Sequence, residues 1–423
     1  MSISRTTPPE LKIPESVSVL KAEKIPVTNG LSLYVINSGT EDVVKLEIIF
    51  PAGCSDQMSY ALSSTCHQLI DAGTNRMNAQ TIAEEFDYYG AYLQSEPGAD
   101  FKSISLFSLS RFFPSTLTLL KEVMDDAIFP ESEITTWKSR NIQALHVNRE
   151  KVSWLAKNHF NASVFGSNHP YGFIPDEKFI DAVTQEKLQE IHKTTYGLQH
   201  AIFILSGKIT ENEINAVTQC FGTMKMTADN PPKLPAPALT KPEKLQIPKK
   251  DSIQSGLRIG KQMLPKNHPD FLKLSVVNTI LGGYFGSRLM SNIREDKGYT
   301  YGIGSGLVPY PATGSFFIST EVGNDVRNDA IKEIYVELYR LINEAIPQEE
   351  LDLVKNYLVG SFQRSLDGPF SLADRFKGLI LHNLDYSYFD KYLETLATIT
   401  PENIAEMAAK HLQPDSMTEI IAG

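Results

Sequence analysis

A catalytic zinc needs three donors of the imidazole, thiolate or carboxylate kind and one open position for water. On a zincin helix two of these donors are histidines four residues apart, sharing one face. The chain has nine histidines (His67, His146, His159, His169, His192, His200, His268, His382 and His411), and none has another four positions away. Cys66 and His67 are adjacent. Neighbours in sequence do not face each other on a helix, so the two cannot act directly as nucleophile and base. The run Gly302-Ile303-Gly304-Ser305-Gly306 has the glycines of a phosphate cradle, but neither a helix start nor a P-loop lysine follows it. It reads as flexible strand. Asp71 and Glu84 read as a solvated helix end and a solvated helix face.

Strands and amphipathic helices must position whatever chemistry remains. Gly30 to Asn37 and Val43 to Phe50 are rich in branched residues and split by Gly39-Thr40, which predicts a hairpin. Asn78 to Tyr89 predicts a helix with Asn78 as N-cap, Ile82 and Phe86 on one face, and Gly90 just past its end. Leu272 to Leu281 reads as a helix broken at Gly282-Gly283. Ala330, Ile331, Ile334, Leu338, Leu341 and Ile342 recur at helical spacing, with Asn324 or Asp325 placed to cap. Strands followed by helices, twice over, imply an α+β protein in which helices pack on one face of mainly antiparallel sheets.

The doubling is visible as an internal repeat. Ala127 to Ile134 recurs as Ala345 to Leu351, an offset of 347 − 130 = 217 measured at the prolines. Val183 to Leu188 recurs as Ile399 to Ile404, where 400 − 184 = 216. Ala201 to Gly207 then matches Met417 to Gly423. A near-constant offset across three elements implies two homologous halves. Residues 227–250, rich in Pro and Lys, read as an extended linker between a first domain at 1–226 and a second at 251–423.

Length and composition are consistent with this division. The 423 residues exceed what one hydrophobic core usually serves. A net charge of −10 argues against a nucleic-acid partner, which calls for a basic face. Cys54, Cys66 and Cys220 are too few and too scattered for a disulfide framework. No stretch has the length and apolarity of a signal-peptide core or a membrane span. The expected location is cytoplasmic, or periplasmic if a leader has been removed.

The run from Leu69 to Leu93 is similar to the segment that follows H-x-x-E-H in the insulinase/pitrilysin peptidase family, in the branch of the mitochondrial processing peptidase. Asn292 to Gly302 is similar to that family's signature of an arginine seven residues ahead of a tyrosine, met here by Arg294 and Tyr301. The resemblance covers nearly the whole chain and implies two domains of the processing-peptidase fold. In its frame the two metal histidines become Ser64 and Gln68, the catalytic glutamate becomes His67, and the third ligand falls at Leu145. Serine and glutamine are poor zinc donors and leucine is none, so no metal is expected in this chain.

Arg294 and Tyr301 carry donors that suit a developing oxyanion. The resemblance gives them that role, acting in trans on substrate held by another subunit. Tyr299 is expected to share the sheet face of Tyr301 if the strand has begun there. Ala91 to Glu96, with Tyr92, Gln94 and Ser95, could offer an edge strand to an extended peptide. The implied function is a zinc-free subunit of a heterodimeric metallopeptidase. Zinc would sit in a homologous partner subunit, and the substrates would be peptides. A homodimer remains open in the partner's absence. The alternative is a purely structural subunit, like the core proteins of a respiratory complex.

Overall fold

The computed structural model describes Pro14, residues 17–222 and residues 233–423. Two sheets form its frame. The first contains β1 (Glu23–Ile25), β2 (Ser32–Asn37), β3 (Val43–Pro51), β4 (Tyr92–Glu96), β5 (Phe101–Leu109) and β6 (Ile202–Gly207), in the order β1-β2-β6-β3-β5-β4. The second contains β7 (Lys244–Ile247), β8 (Gln254–Met263), β9 (Ile303–Pro309), β10 (Gly314–Gly323) and β11 (Thr418–Ala422), in the order β7-β11-β8-β10-β9. Every neighbouring pair is antiparallel except β2 with β6 and β7 with β11.

The expected β2–β3 hairpin does not form. Both strands exist, but β6 lies between them, parallel to β2 and antiparallel to β3. The reason lies in β6 itself: Ile202-Phe203-Ile204-Leu205 is apolar on both faces and needs a partner on each edge as well as cover above and below. β11 does the same between β7 and β8, so the two sheets share one topology. β7 also lies inside the stretch read as linker. Residues 233–243 are without helix or strand, as expected, whereas residues 227–232 of that stretch lie outside the described residues.

The caps repeat along with the strands. Pro130 and Pro347 precede the helices Glu131–Arg149 and Gln348–Arg364 with φ of −58° each and ψ of 140° and 141°. Thr184 and Thr400 cap the helices Gln185–Thr195 and Pro401–His411 by accepting backbone N–H groups. Asn78 caps Ala79–Tyr88 as expected, and Ile82 and Phe86 are its buried residues. The Asn324 or Asp325 cap is not formed. The helix Arg327–Asn343 has no side-chain cap, because Asn324 instead donates to the Ser252 carbonyl at 2.6 Å and accepts from Ser255 Oγ at 2.7 Å. The helix Phe271–Asn278 continues through a wide turn, Thr279–Gly283, and ends at its glycines, where Tyr284 is extended (φ −151°, ψ 172°). A Cβ on Gly282 would come within 2.5 Å of the Ser305 backbone nitrogen, so this glycine lets β9 approach closely.

Each sheet carries its own domain's helices on one face. In the first, Leu46, Ile48, Ile104 and Leu106 pack with Leu62, Cys66, Phe113, Leu120 and Leu188. The opposite face is covered by a helix from the other domain. Leu372, Ala373 and Phe376 of Pro369–Ile380 pack on Ile36, Ile49 and Ile204. Val152, Ala156, Phe160 and Val164 of Val152–Phe165 pack on Ile420 and Ala422. These two helices are themselves repeat partners, since 369 − 152 = 217. A charge cluster seals the first exchange: Lys377 Nζ is 2.7 Å from Glu47 Oε1 and Lys45 Nζ is 3.2 Å from Glu47 Oε2. Burial alone would raise the Glu47 pKa, but the two lysines outweigh it and hold the carboxyl below its usual range.

Candidate functional site: the degenerate metal cavity and the Arg294–Tyr301 corner

The helix Gln57–Gln68 starts at a capping box of Asp56 and Ser59 and runs along one wall of a cavity of about 540 Å³. Ser64 and Gln68, one turn apart, line it, and so does Leu145 from Glu131–Arg149. The structure therefore brings together the three positions that the resemblance assigns to metal ligands. Gln68 Nε2 reaches Ser64 Oγ at 3.4 Å, and Gln68 Oε1 accepts from the Trp137 indole at 3.0 Å. A hydroxyl, an amide already engaged and an isobutyl group do not fit a catalytic zinc. Among the described residues no three His, Cys, Asp or Glu side chains could together hold a metal ion.

His67 turns away from this cavity. It is fully buried, with Nε2 at 2.8 Å from the Ser103 carbonyl and Nδ1 at 2.7 Å from the Tyr196 hydroxyl. The carbonyl can only accept, so Nε2 carries the proton and Nδ1 accepts from Tyr196. Burial, reinforced by the nearby Lys102 cation, pushes the His67 pKa down to about 4, which keeps the ring neutral. Cys66 donates instead to the Leu188 carbonyl, and burial pushes its thiol up to about 12. Neither group resembles half of a nucleophile–base pair. Glu84 is exposed, as expected; Asp71 is exposed as a residue, but burial of its carboxyl raises its pKa.

In the second domain, a wide helical turn over Met290–Asp296 presents Arg294, and Gly298 (φ +66°) ends it. Thr300 then pins the chain, with its hydroxyl donating to the Glu321 carbonyl at 2.8 Å and accepting from Thr320 at 2.8 Å. This projects Tyr301 outward at 93% exposure, so it does not pack beneath a hairpin. The Arg294 guanidinium lies 5.5 Å from the Tyr301 ring centroid and 4.8 Å from that of Phe285. Neither the Arg294 nor the Tyr301 side chain has a hydrogen bond or ion pair among the described residues, despite Glu295 and Asp296 beside the arginine. Tyr299 does not share the exposure of Tyr301. The strand begins only at Ile303, and Tyr299 packs against the second domain's core.

β4 is the outer strand of the first sheet and pairs only with β5. Tyr92 is exposed on it, with its ring 6.0 Å from Phe107, while Gln94 donates to Glu96 at 2.9 Å and Ser95 is half-buried. Its free edge suits strand addition. Sequence reasoning did not single out Phe285, or the cavity's Trp137, Trp154, Lys157 and Asn161. The last three stand at i, i+3 and i+7, a helical stripe legible in the sequence.

The fold is shared with solved M16-type structures, and Ser64, Gln68 and Leu145 stand where the resemblance places the metal's ligands. Residues 182–358 match the family described as Peptidase M16 inactive domain. The chain is 22% identical over 402 residues to the "Uncharacterized zinc protease YmxG" of Bacillus subtilis, covering 93% of this chain and 96% of that protein. It is 23% identical over 320 residues to the "Non-peptidase homolog YmxG" of Helicobacter pylori, covering 73% and 71%. A solved peptidase M16 inactive domain from Pseudomonas fluorescens has a TM-score of 0.85 at 24% identity, covering 96% of this chain and 98% of that one. A chain of complex III2 from Candida albicans has a TM-score of 0.76 at 12% identity, covering 96% of each. The chain is thus similar over most of its length to proteins named as zinc proteases of the M16 type, and it carries Ser64, His67 and Gln68 where the resemblance places the zinc motif.

Proposed function

We propose that this chain is the zinc-free subunit of a heterodimeric M16 metallopeptidase, supplying Arg294 and Tyr301 to the active site of a zinc-bearing homologous subunit. The observation that carries this reading is the state of those two side chains. A guanidinium and a phenol stand together with every donor unused, one of them almost wholly in solvent. Both donors are therefore available to an oxygen brought in by a partner. In the partner's chamber they would meet the oxygen on which charge develops, and the free edge of β4 would hold the peptide extended. Zinc would be the partner's cofactor, and two copies of this chain alone would enclose no ligand set for it.

The test is reconstitution. The chain is mixed with a zinc-bearing homologue and turnover of one peptide is followed, with association of the two chains measured separately. Activity that requires both chains supports the reading. A stable pair whose turnover is indifferent to Arg294→Ala and Tyr301→Phe would sink it. A second reading, a purely structural subunit, draws support from the fold shared with a chain of complex III2. That outcome would establish it.

A further inference from the structure

Trp154, Lys157 and Asn161 lie on one stripe of the helix Val152–Phe165, and all three line the 540 Å³ cavity. The indole Nε1, the Lys157 ammonium and the Asn161 amide have no hydrogen-bond or ion-pair partner among the described residues. Several other polar groups around the same cavity are engaged. Gln68 accepts from Trp137, Asn141 donates to the Trp137 carbonyl, Asn148 accepts from Lys151, and Asn158 donates to the Trp154 carbonyl. The one carboxylate in the lining, Asp176, caps the helix Glu177–Asp181 and lies 4.0 Å from Arg149, so its charge is met locally. The lining's one cation, Lys157, thus has no carboxylate partner among the described residues, and indole and amide N–H donors stand in a row with it.

Much of the remaining wall is aromatic, the rest largely aliphatic. Trp137, Phe173 and Phe179 contribute, and Tyr171 and Tyr310 stack with centroids 3.8 Å apart. A row of donors that includes a cation selects an anion, and indole, ammonium and amide N–H groups together suit the oxygens of a carboxylate. Aromatic walls favour a flat apolar group behind it. The volume falls within the range of about 300–1,000 Å³ that small-ligand sites occupy. We propose that the cavity left by the lost metal site binds a carboxylate carried on an aromatic or apolar group. Its source is either the C-terminus of a peptide or a free aromatic acid. The site does not depend on the role assigned to Arg294 and Tyr301.

Both tryptophans of the chain line this cavity, so its intrinsic fluorescence reports directly on occupancy. The full chain is titrated with 3-phenylpropionate and with its amide, and with a tripeptide ending in phenylalanine as the free acid and as the C-terminal amide. The expected result is a saturable change with at least one acid and affinity weaker by about tenfold or more for the matching amide, since the charge-assisted bonds are lost. Lys157→Met and Asn161→Ala should each weaken the acid by about tenfold, while Lys332→Met on a distant helix leaves it unchanged. If the tripeptide binds and the small acid does not, the source is a peptide terminus; the reverse identifies a free acid. No saturable change with either acid, equal affinity for acid and amide, or indifference to Lys157→Met overturns the proposal.

Discussion

The Lys102 ammonium sits 3.9 Å from the centre of the Tyr196 ring, deep in the first domain, with no carboxylate partner among the described residues. It donates to Thr195 Oγ1 at 2.6 Å, and Ser63 Oγ lies at 3.4 Å. Burial pushes its pKa from 10.5 down to about 8. That displacement corresponds to about 3 kcal/mol of penalty for the charged form.

Lys102→Met is therefore expected to stabilise the protein at pH 7, by about 1–3 kcal/mol once the lost hydrogen bonds are deducted. The sign follows from proton counting. Between about pH 8 and 10.5 the unfolded chain holds more protons than the folded one, so wild-type stability rises with pH and the variant's advantage shrinks. Below about pH 8 both states are protonated and the gap is constant. Denaturant titrations at pH 7 and pH 10 check this. A variant less stable at both values would show that the cation–π contact and hydrogen bonds outweigh burial.

His67 works in the acid range. Its folded pKa of about 4 lies below its ordinary 6.5, so between those values the unfolded chain binds the extra proton. Stability should fall as pH drops from 6.5 towards 4, by about 3 kcal/mol from this residue. His382, also pushed down to about 4 by burial, adds to the same fall. In His67→Phe the slope of stability against pH across that window should be shallower by about one proton. An unchanged slope would mean that His67 stays neutral in both states or charged in both.

In a reconstituted pair, Tyr301→Phe removes one donor without leaving a void. By analogy with other oxyanion donors, kcat should fall about 100- to 1,000-fold, with assembly unaffected. Tyr299→Phe is a clean control, because Tyr299 packs on the core while Tyr301 projects into solvent. Equal losses from both substitutions would point to disturbance of the loop and away from a specific donor.

Writing the motif back as Ser64→His, His67→Glu and Gln68→His is expected to give neither stoichiometric zinc nor efficient peptidase activity. Leu145 still supplies no third ligand, and the groups that orient metal histidines are missing, a loss of about 10- to 100-fold by itself. A glutamate at 67 would also bring its carboxylate towards the Ser103 carbonyl that now accepts from His67. Metal analysis and a peptide assay on the purified triple variant decide the matter. Robust activity would show that the site's supporting structure is still intact.

Much of this architecture is local and so was readable along the chain. The prolines at 130 and 347 and the threonines at 184 and 400 set helix starts through their own φ angle or hydroxyl, and the repeat follows from them. The loss of zinc donors is likewise a matter of residue type, and the outer position of β4 fits an edge-strand reading of Ala91 to Glu96. What only the tertiary structure decided depends on partners far apart in sequence. β6 displaces the β2–β3 hairpin from more than a hundred residues away, because an apolar strand gains by pairing on both edges. The inward turn of His67 depends on Ser103 and Tyr196, and the exchanged helices on sheets of the opposite domain. Helix periodicity shows which side chains share a face; which surface that face meets is set by packing across the whole chain, and short-range pattern carries no record of it.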